Sequence, residues 1–126
     1  MSRSTSIESY RDLQVWQRGI DLTERIYAVT QSFPSDERFV LVAQLRRAAL
    51  SIPSNIAEGW GRMSTGEFLR FLRIARGSLT EVETQMIVAH RLGYVEKATL
   101  NRMLDETTVE SKMLRALIRS LEQRTE

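Results

Sequence analysis

The chain has no cysteine. That excludes disulfides and thiolate metal sites and leaves the redox compartment open. It has one histidine, His90. Di-metal bundles need two inward-facing Glu-x-x-His pairs, and here the residue three before the lone histidine is Ile87. Two prolines and six glycines are far too few for a many-turned all-β protein. No apolar run approaches the roughly 20 residues of a membrane-spanning helix. Residues Met1–Tyr10 lack the apolar core of a signal peptide. A cytoplasmic protein with no membrane partner is therefore expected. Lysine is nearly missing too: of 18 basic residues only Lys97 and Lys112 are lysines. Arginine is the better residue for bidentate contacts to phosphate or carboxylate.

What remains is a helical pattern. The 126 residues are 42% hydrophobic and 27% charged, which suits one packed domain. Residues 1–9 are polar and expected to fray, 10–122 to form the domain, and 123–126 to form a tail. A first helix is predicted from about Asp12 to Gln31, with two apolar stripes. One is Leu13, Trp16, Ile20, Thr23 and Tyr27; the other is Val15, Leu22, Ile26 and Val29. Two stripes on one helix point to a second buried surface, either a wide core or a subunit contact. Phe33-Pro34 ends that helix, and Ser35-Asp36-Glu37 starts the second.

The second helix carries Gln44–Arg62. Its apolar stripe is Leu41, Leu45, Ala48, Ile52 and Ile56. Directly beside it runs a narrow polar stripe of Gln44, Ser51, Asn55 and Glu58, read as a hydrogen-bonded seam that meets Ser78 and Glu81 of the third helix. Pro53 lies in mid-run, so a kink is expected. Ser64-Thr65-Gly66-Glu67 has the form of a capping box and opens the third helix. That helix has the most regular heptad of the chain: Phe68, Leu72, Ala75, Leu79, Val82, Met86 and Ala89. Gly93 is its stop. The fourth helix starts near Glu96 with the stripe Leu100, Leu104, Thr107, Ser111, Leu114, Ile118 and Leu121. Four helices with short links predict an all-α antiparallel four-helix bundle.

Signals for an enzyme are poor. His90 falls at the margin of an apolar stripe, where a lone histidine is structural. Glu81 and Glu83 lie on different sides of their helix, and Gly59, Gly61 and Gly66 match no phosphate-binding fingerprint. No catalytic residue, metal or cofactor is expected. Charge is more informative. Residues 38–76 hold seven arginines against two carboxylates, Glu58 and Glu67, a net +5, while the rest of the chain is −3. Arg46, Arg47, Arg62, Arg70, Arg73 and Arg76 are the candidate phosphate contacts. Few aromatics, such as Trp60 and Phe71, interleave with them, so backbone contact is favoured over base stacking.

The spread Leu13-x-Val15-Trp16, Phe33-Pro34, Gln44-Leu45-Arg46-Arg47-Ala48, Ser51-Ile52-Pro53-x-Asn55-Ile56-Ala57-Glu58-Gly59, Glu67-Phe68 and Ala75-x-Gly77-Ser78-Leu79-x-Glu81 resembles the 23S rRNA-intervening sequence proteins, small bacterial four-helix bundles. The resemblance runs from about Tyr10 to Leu121. It implies an antiparallel four-helix bundle assembled as a homopentamer. It also implies kinship with the accessory variability determinant of diversity-generating retroelements, a basic pentamer that binds nucleic acid and a reverse transcriptase. The expectation is thus a non-enzymatic homo-oligomer that binds the backbone of RNA or DNA through an arginine face. The alternative is a protein-interaction scaffold, such as a reverse transcriptase accessory subunit.

Overall fold

The computed structural model describes residues 6–125. Among them are four helices, α1 (Gln14–Thr30), α2 (Leu41–Gly61), α3 (Thr65–Arg91) and α4 (Lys97–Thr125), with single 3₁₀ turns at Tyr10–Asp12 and Ser35–Glu37 and no strand. Side-chain pairing gives the directions. Thr23 meets Ala49, and Arg46 meets Thr30; Ser51 meets Ser78, and Gln44 meets Gln85; Glu83 meets Thr107, and Arg73 meets Glu122. In each pair of helices the number falls on one as it rises on the other. Each helix is therefore antiparallel to the next, and contact between α1 and α4 closes the ring.

The boundaries differ from the pattern in readable ways. Ser35–Glu37 is a separate turn, and α2 starts only at Leu41. Ser64 caps α3 by accepting from the Glu67 amide at 3.1 Å. A capping box that the sequence pattern does not flag, Ser9 with Asp12, orders the first turn. Of the expected frayed segment, residues 1–5 lie outside the described residues. Of the expected tail, residues 123–125 belong to α4 and residue 126 lies outside. Gly93, at φ 85°, takes the left-handed conformation that ends α3 after Leu92.

The core follows helical spacing. All seven heptad positions of α3 are buried, as are Leu45, Ala48, Ile52 and Ile56 of α2. On α1 the stripe Val15, Leu22 and Ile26 faces the core, while Leu13 and Trp16 of the other stripe pack at its margin and Tyr27 is exposed. The two stripes thus form one wide face. On α4 the buried line is Leu100, Met103, Thr107, Glu110, Leu114, Ile118 and Leu121. It takes in Met103 and Glu110 where the sequence pattern places Leu104 and Ser111.

Helix α2 runs through Pro53 without a break. A proline has no amide to donate, so it leaves the carbonyl four residues back without its helical partner. That carbonyl is Ala49, and the buried Thr23 hydroxyl of α1 reaches it at 3.1 Å, alongside its own Gly19 carbonyl at 2.8 Å. Two helices share the repair. Gly59 makes a second close approach. A Cβ there would sit 2.6 Å from Cβ of Phe71 and 3.3 Å from Cα of Phe68, so α3 crosses α2 at a distance only glycine permits.

Candidate nucleic-acid interface

Two of the four residues of the expected polar seam, Gln44 and Ser51, reach from α2 to α3. The Ser51 and Ser78 hydroxyls meet at 2.5 Å, and Gln85 reaches Gln44 at 3.5 Å. Asn55 donates to its own helix, to the Ser51 carbonyl at 2.7 Å. A groove of about 250 Å³ runs over these groups, edged by Arg47, Ile74 and Glu81. Glu58 departs from the expected seam: it is exposed and pairs with Arg62 at 2.9 Å. The seam is half-buried at Ser51 and Asn55 and open at Gln44.

The six candidate arginines do not share one face. Arg46 turns back to α1. Its Nε donates to Thr30 Oγ1 at 2.9 Å, a terminal amine reaches the Tyr27 carbonyl at 3.3 Å, and the guanidinium lies 4.5 Å from the Tyr27 ring. It ties the C-terminal turn of α1 to α2. Arg47 edges the polar groove. Arg62 and Arg70 flank the Phe71 ring at 5.1 and 4.9 Å, and both meet acids: Arg62 meets Glu58, and Arg70 meets Glu67 at 3.8 Å. Guanidiniums neutralised this way add little to a long-range positive field.

Arg73 and Arg76 behave differently. They sit beside the buried α3 positions Leu72 and Ala75, on the side that faces α4. Across from them α4 presents Arg115 and Arg119, spaced i,i+4 around Ile118. The four guanidiniums border one groove of about 250 Å³, with Glu122 as its only acid among the described residues. Glu122 bonds Arg73 at 2.6 Å. Four arginines against one carboxylate leave the groove net positive, and arginine forks have the geometry to match phosphate oxygens two at a time. Arg115 and Arg119 lie outside the basic segment 38–76, so a linear charge count passes over them. The signal that finds them is positional: they flank a stripe residue of α4 just as Arg73 and Arg76 flank stripe residues of α3, and the two helices are antiparallel neighbours.

His90 uses Nδ1–H to donate to the Val95 carbonyl at 2.8 Å, which closes the α3–α4 turn. Tyr94, in the same turn, donates to Glu37 at 2.8 Å and stacks near Phe33. That carboxylate partner raises the Tyr94 hydroxyl above its ordinary pKa. No cluster of three or more metal-ligating side chains occurs among the described residues.

Residues 11–116 match the family model of the 23S rRNA-intervening sequence protein. The chain belongs to this family. A crystal structure of a protein with unknown function from the S23 ribosomal protein family of Bacteroides thetaiotaomicron is similar, with a TM-score of 0.77 and 24% identity over 83% of this chain and 95% of that one. At that identity the likeness is one of fold. No curated protein matches the chain. In this 23S rRNA-intervening sequence family member the arginine groove straddles the end of the matched segment: Arg73, Arg76 and Arg115 fall within it, Arg119 and Glu122 beyond it. No helix among the described residues is long and apolar enough to cross a membrane.

Proposed function

We propose that this protein is a non-enzymatic, cytoplasmic homo-oligomer that binds the sugar–phosphate backbone of nucleic acid through the groove between α3 and α4. The convergence of Arg73, Arg76, Arg115 and Arg119 on one groove carries this reading. Phosphate contacts of this kind position a protein on its nucleic acid without reading sequence. Assembly is supported by the apolar side chains left in solvent on the outer faces of α2 and α3, among them Leu50, Ile74 and Val88; a homopentamer is the form the resemblance implies. Each subunit would then present one arginine groove, and a long polyanion could engage several at once.

The experiment is a salt titration with labelled RNA and DNA of unrelated sequences. Binding is expected on all of them, with log K falling by about 0.9 per neutralised phosphate on duplex DNA and about 0.7 on single strands for each log unit of salt. Absence of binding at low salt contradicts the reading. A protein-interaction scaffold, such as an accessory subunit of a reverse transcriptase, then takes its place. One feature favours that second reading: an apolar groove of about 540 Å³ at the α2–α3 end of the molecule, where Ile7, Leu13, Trp60, Met63, Phe68 and Leu117 meet.

A further inference from the structure

The α1–α4 interface is the least extensive of the four between neighbouring helices. It contains a partly enclosed pocket of about 240 Å³, lined by Arg18, Asp21, Leu22 and Arg25 of α1 and by Glu106 and Glu110 of α4. Spacings of three and four residues bring each set onto one helix face. Arg25 and Glu106 pair with each other. Glu110 and Arg18 do not. Glu110 is 1% exposed, and neither of its carboxyl oxygens has a hydrogen-bond partner. The Nε of Arg18 is buried and likewise unpartnered. Such groups are uncommon in folded proteins, and each calls for an explanation.

Their chemistry defines what would complete them. Arg18 needs an acceptor and ionised Glu110 a donor, with Asp21 as a second carboxylate at the exposed edge. A lone anion meets Asp21 and ionised Glu110 unfavourably, and a lone cation meets Arg18 unfavourably. A molecule carrying both charges satisfies both sides of a site where unpaired charge is costly. The volume falls below the roughly 300–1,000 Å³ of pockets for drug-sized ligands, which restricts the occupant to a small molecule. Leu22 is the only apolar residue in the lining. We propose that the α1–α4 pocket binds a small zwitterion of the free amino-acid type, its carboxylate held by Arg18 and its ammonium by Glu110 and Asp21.

The site lies on a different seam from the arginine groove and stands independently of it. The charged groups around Glu110 are Arg18, Asp21 and Arg25 from α1 and Glu106 from α4; α3 contributes Glu83, which accepts from Thr107 one turn away. Burial pushes the Glu110 carboxyl up to about 8, against the pull of Arg18. An arriving ammonium favours the carboxylate form. Binding near pH 7 therefore releases a proton, and affinity rises with pH until Glu110 is fully ionised.

Thermal melting of the full chain with each of the twenty amino acids, at millimolar concentration and at about pH 8.5 and about pH 6.5, is the test. At least one amino acid raises the melting temperature, more at the higher pH. Calorimetry of that amino acid in buffers of different ionisation enthalpy shows proton uptake by the buffer near pH 7. Glu110→Gln and Arg18→Gln each weaken binding at least tenfold. If Glu110→Gln fails to fold, Asp21→Asn at the exposed edge decides, and unchanged affinity there overturns the proposal. So does a melting temperature that no amino acid moves at either pH, or a shift that acetate or methylammonium alone reproduces.

Discussion

Helices α2 and α4 solve opposite problems. Helix α2 is held by closeness: Gly59 admits Phe68 and Phe71, the Ser51–Ser78 hydroxyls touch, and Pro53 packs against Gly19 while its orphaned carbonyl is taken by Thr23. Small residues let backbones approach, and every polar group named there has a partner. Helix α4 is held more loosely and carries charge on both flanks. Toward α3 it brings Arg115 and Arg119 into the arginine groove; toward α1 it buries Glu110 unpaired. Close backbone packing is thus concentrated at α2, and clustered or unpaired charge at α4.

The largest expected effect that sharpens this contrast is a pH dependence arising from α4. Glu110 is raised from an ordinary 4.5 to about 8 in the folded protein. The folded state therefore holds its proton more tightly than the unfolded state does. Stability from this group is fully present below about pH 4.5, declines as pH rises and levels off above about 8. At about 1.36 kcal/mol per unit, the fall is on the order of 5 kcal/mol at most. Denaturant melts across that range show the decline in the wild type, and Glu110→Gln flattens it. An equal slope in both proteins assigns the decline elsewhere.

The next effects lie on α2. Gly59→Ala forces a methyl against Phe71 and is expected to cost about 1–3 kcal/mol, read from the denaturation midpoint. Thr23→Val keeps the shape but leaves the Ala49 carbonyl without its hydroxyl donor, at about 1–2 kcal/mol. A neutral outcome there would mean that Pro53 strains nothing that α1 relieves. The smallest effect has the opposite sign. Gly77, on the open face of α3, has nothing within 4 Å of an added Cβ. Gly77→Ala is expected to stabilise by about 0.5–1 kcal/mol through backbone entropy alone. The same substitution at two glycines thus separates close approach from exposure.

Much of this was legible in the residues. The α3 heptad, the Ser64 cap and the Gly93 stop follow from spacing and local chemistry. So does the polar stripe of α2 at Gln44, Ser51 and Asn55. Other features needed the third dimension. Whether Val15 or Trp16 led the core face of α1 depends on how α1 rolls against α2, which the 3.6-residue period alone does not set. Glu110 continues the 3-4-3-4 spacing of Leu100, Met103, Thr107 and Leu114, but a charged residue was not expected on the buried line, and Ser111 stood in its place. The arginines misled for a related reason: a run of charge along the chain says nothing about which acids lie across the turn. Glu58 and Glu67 sit beside Arg62 and Arg70, Arg46 has Tyr27 and Thr30, and Arg73 and Arg76 meet two further arginines against one acid, Glu122.

That difference between clusters supplies the most direct measurement. Two double variants remove equal charge: Arg76→Glu with Arg119→Glu in the α3–α4 groove, and Arg62→Glu with Arg70→Glu at the α2–α3 turn. All four side chains are exposed, so both proteins should fold. Their affinities for the same labelled RNA are measured across a salt series beside the wild type. The groove variant is expected to bind weakly and to lose roughly two phosphates' worth of salt dependence, while the turn variant keeps most of both. Equal losses in the two variants, or a larger loss in the turn variant, would contradict the assignment of the polyanion site to the α3–α4 groove.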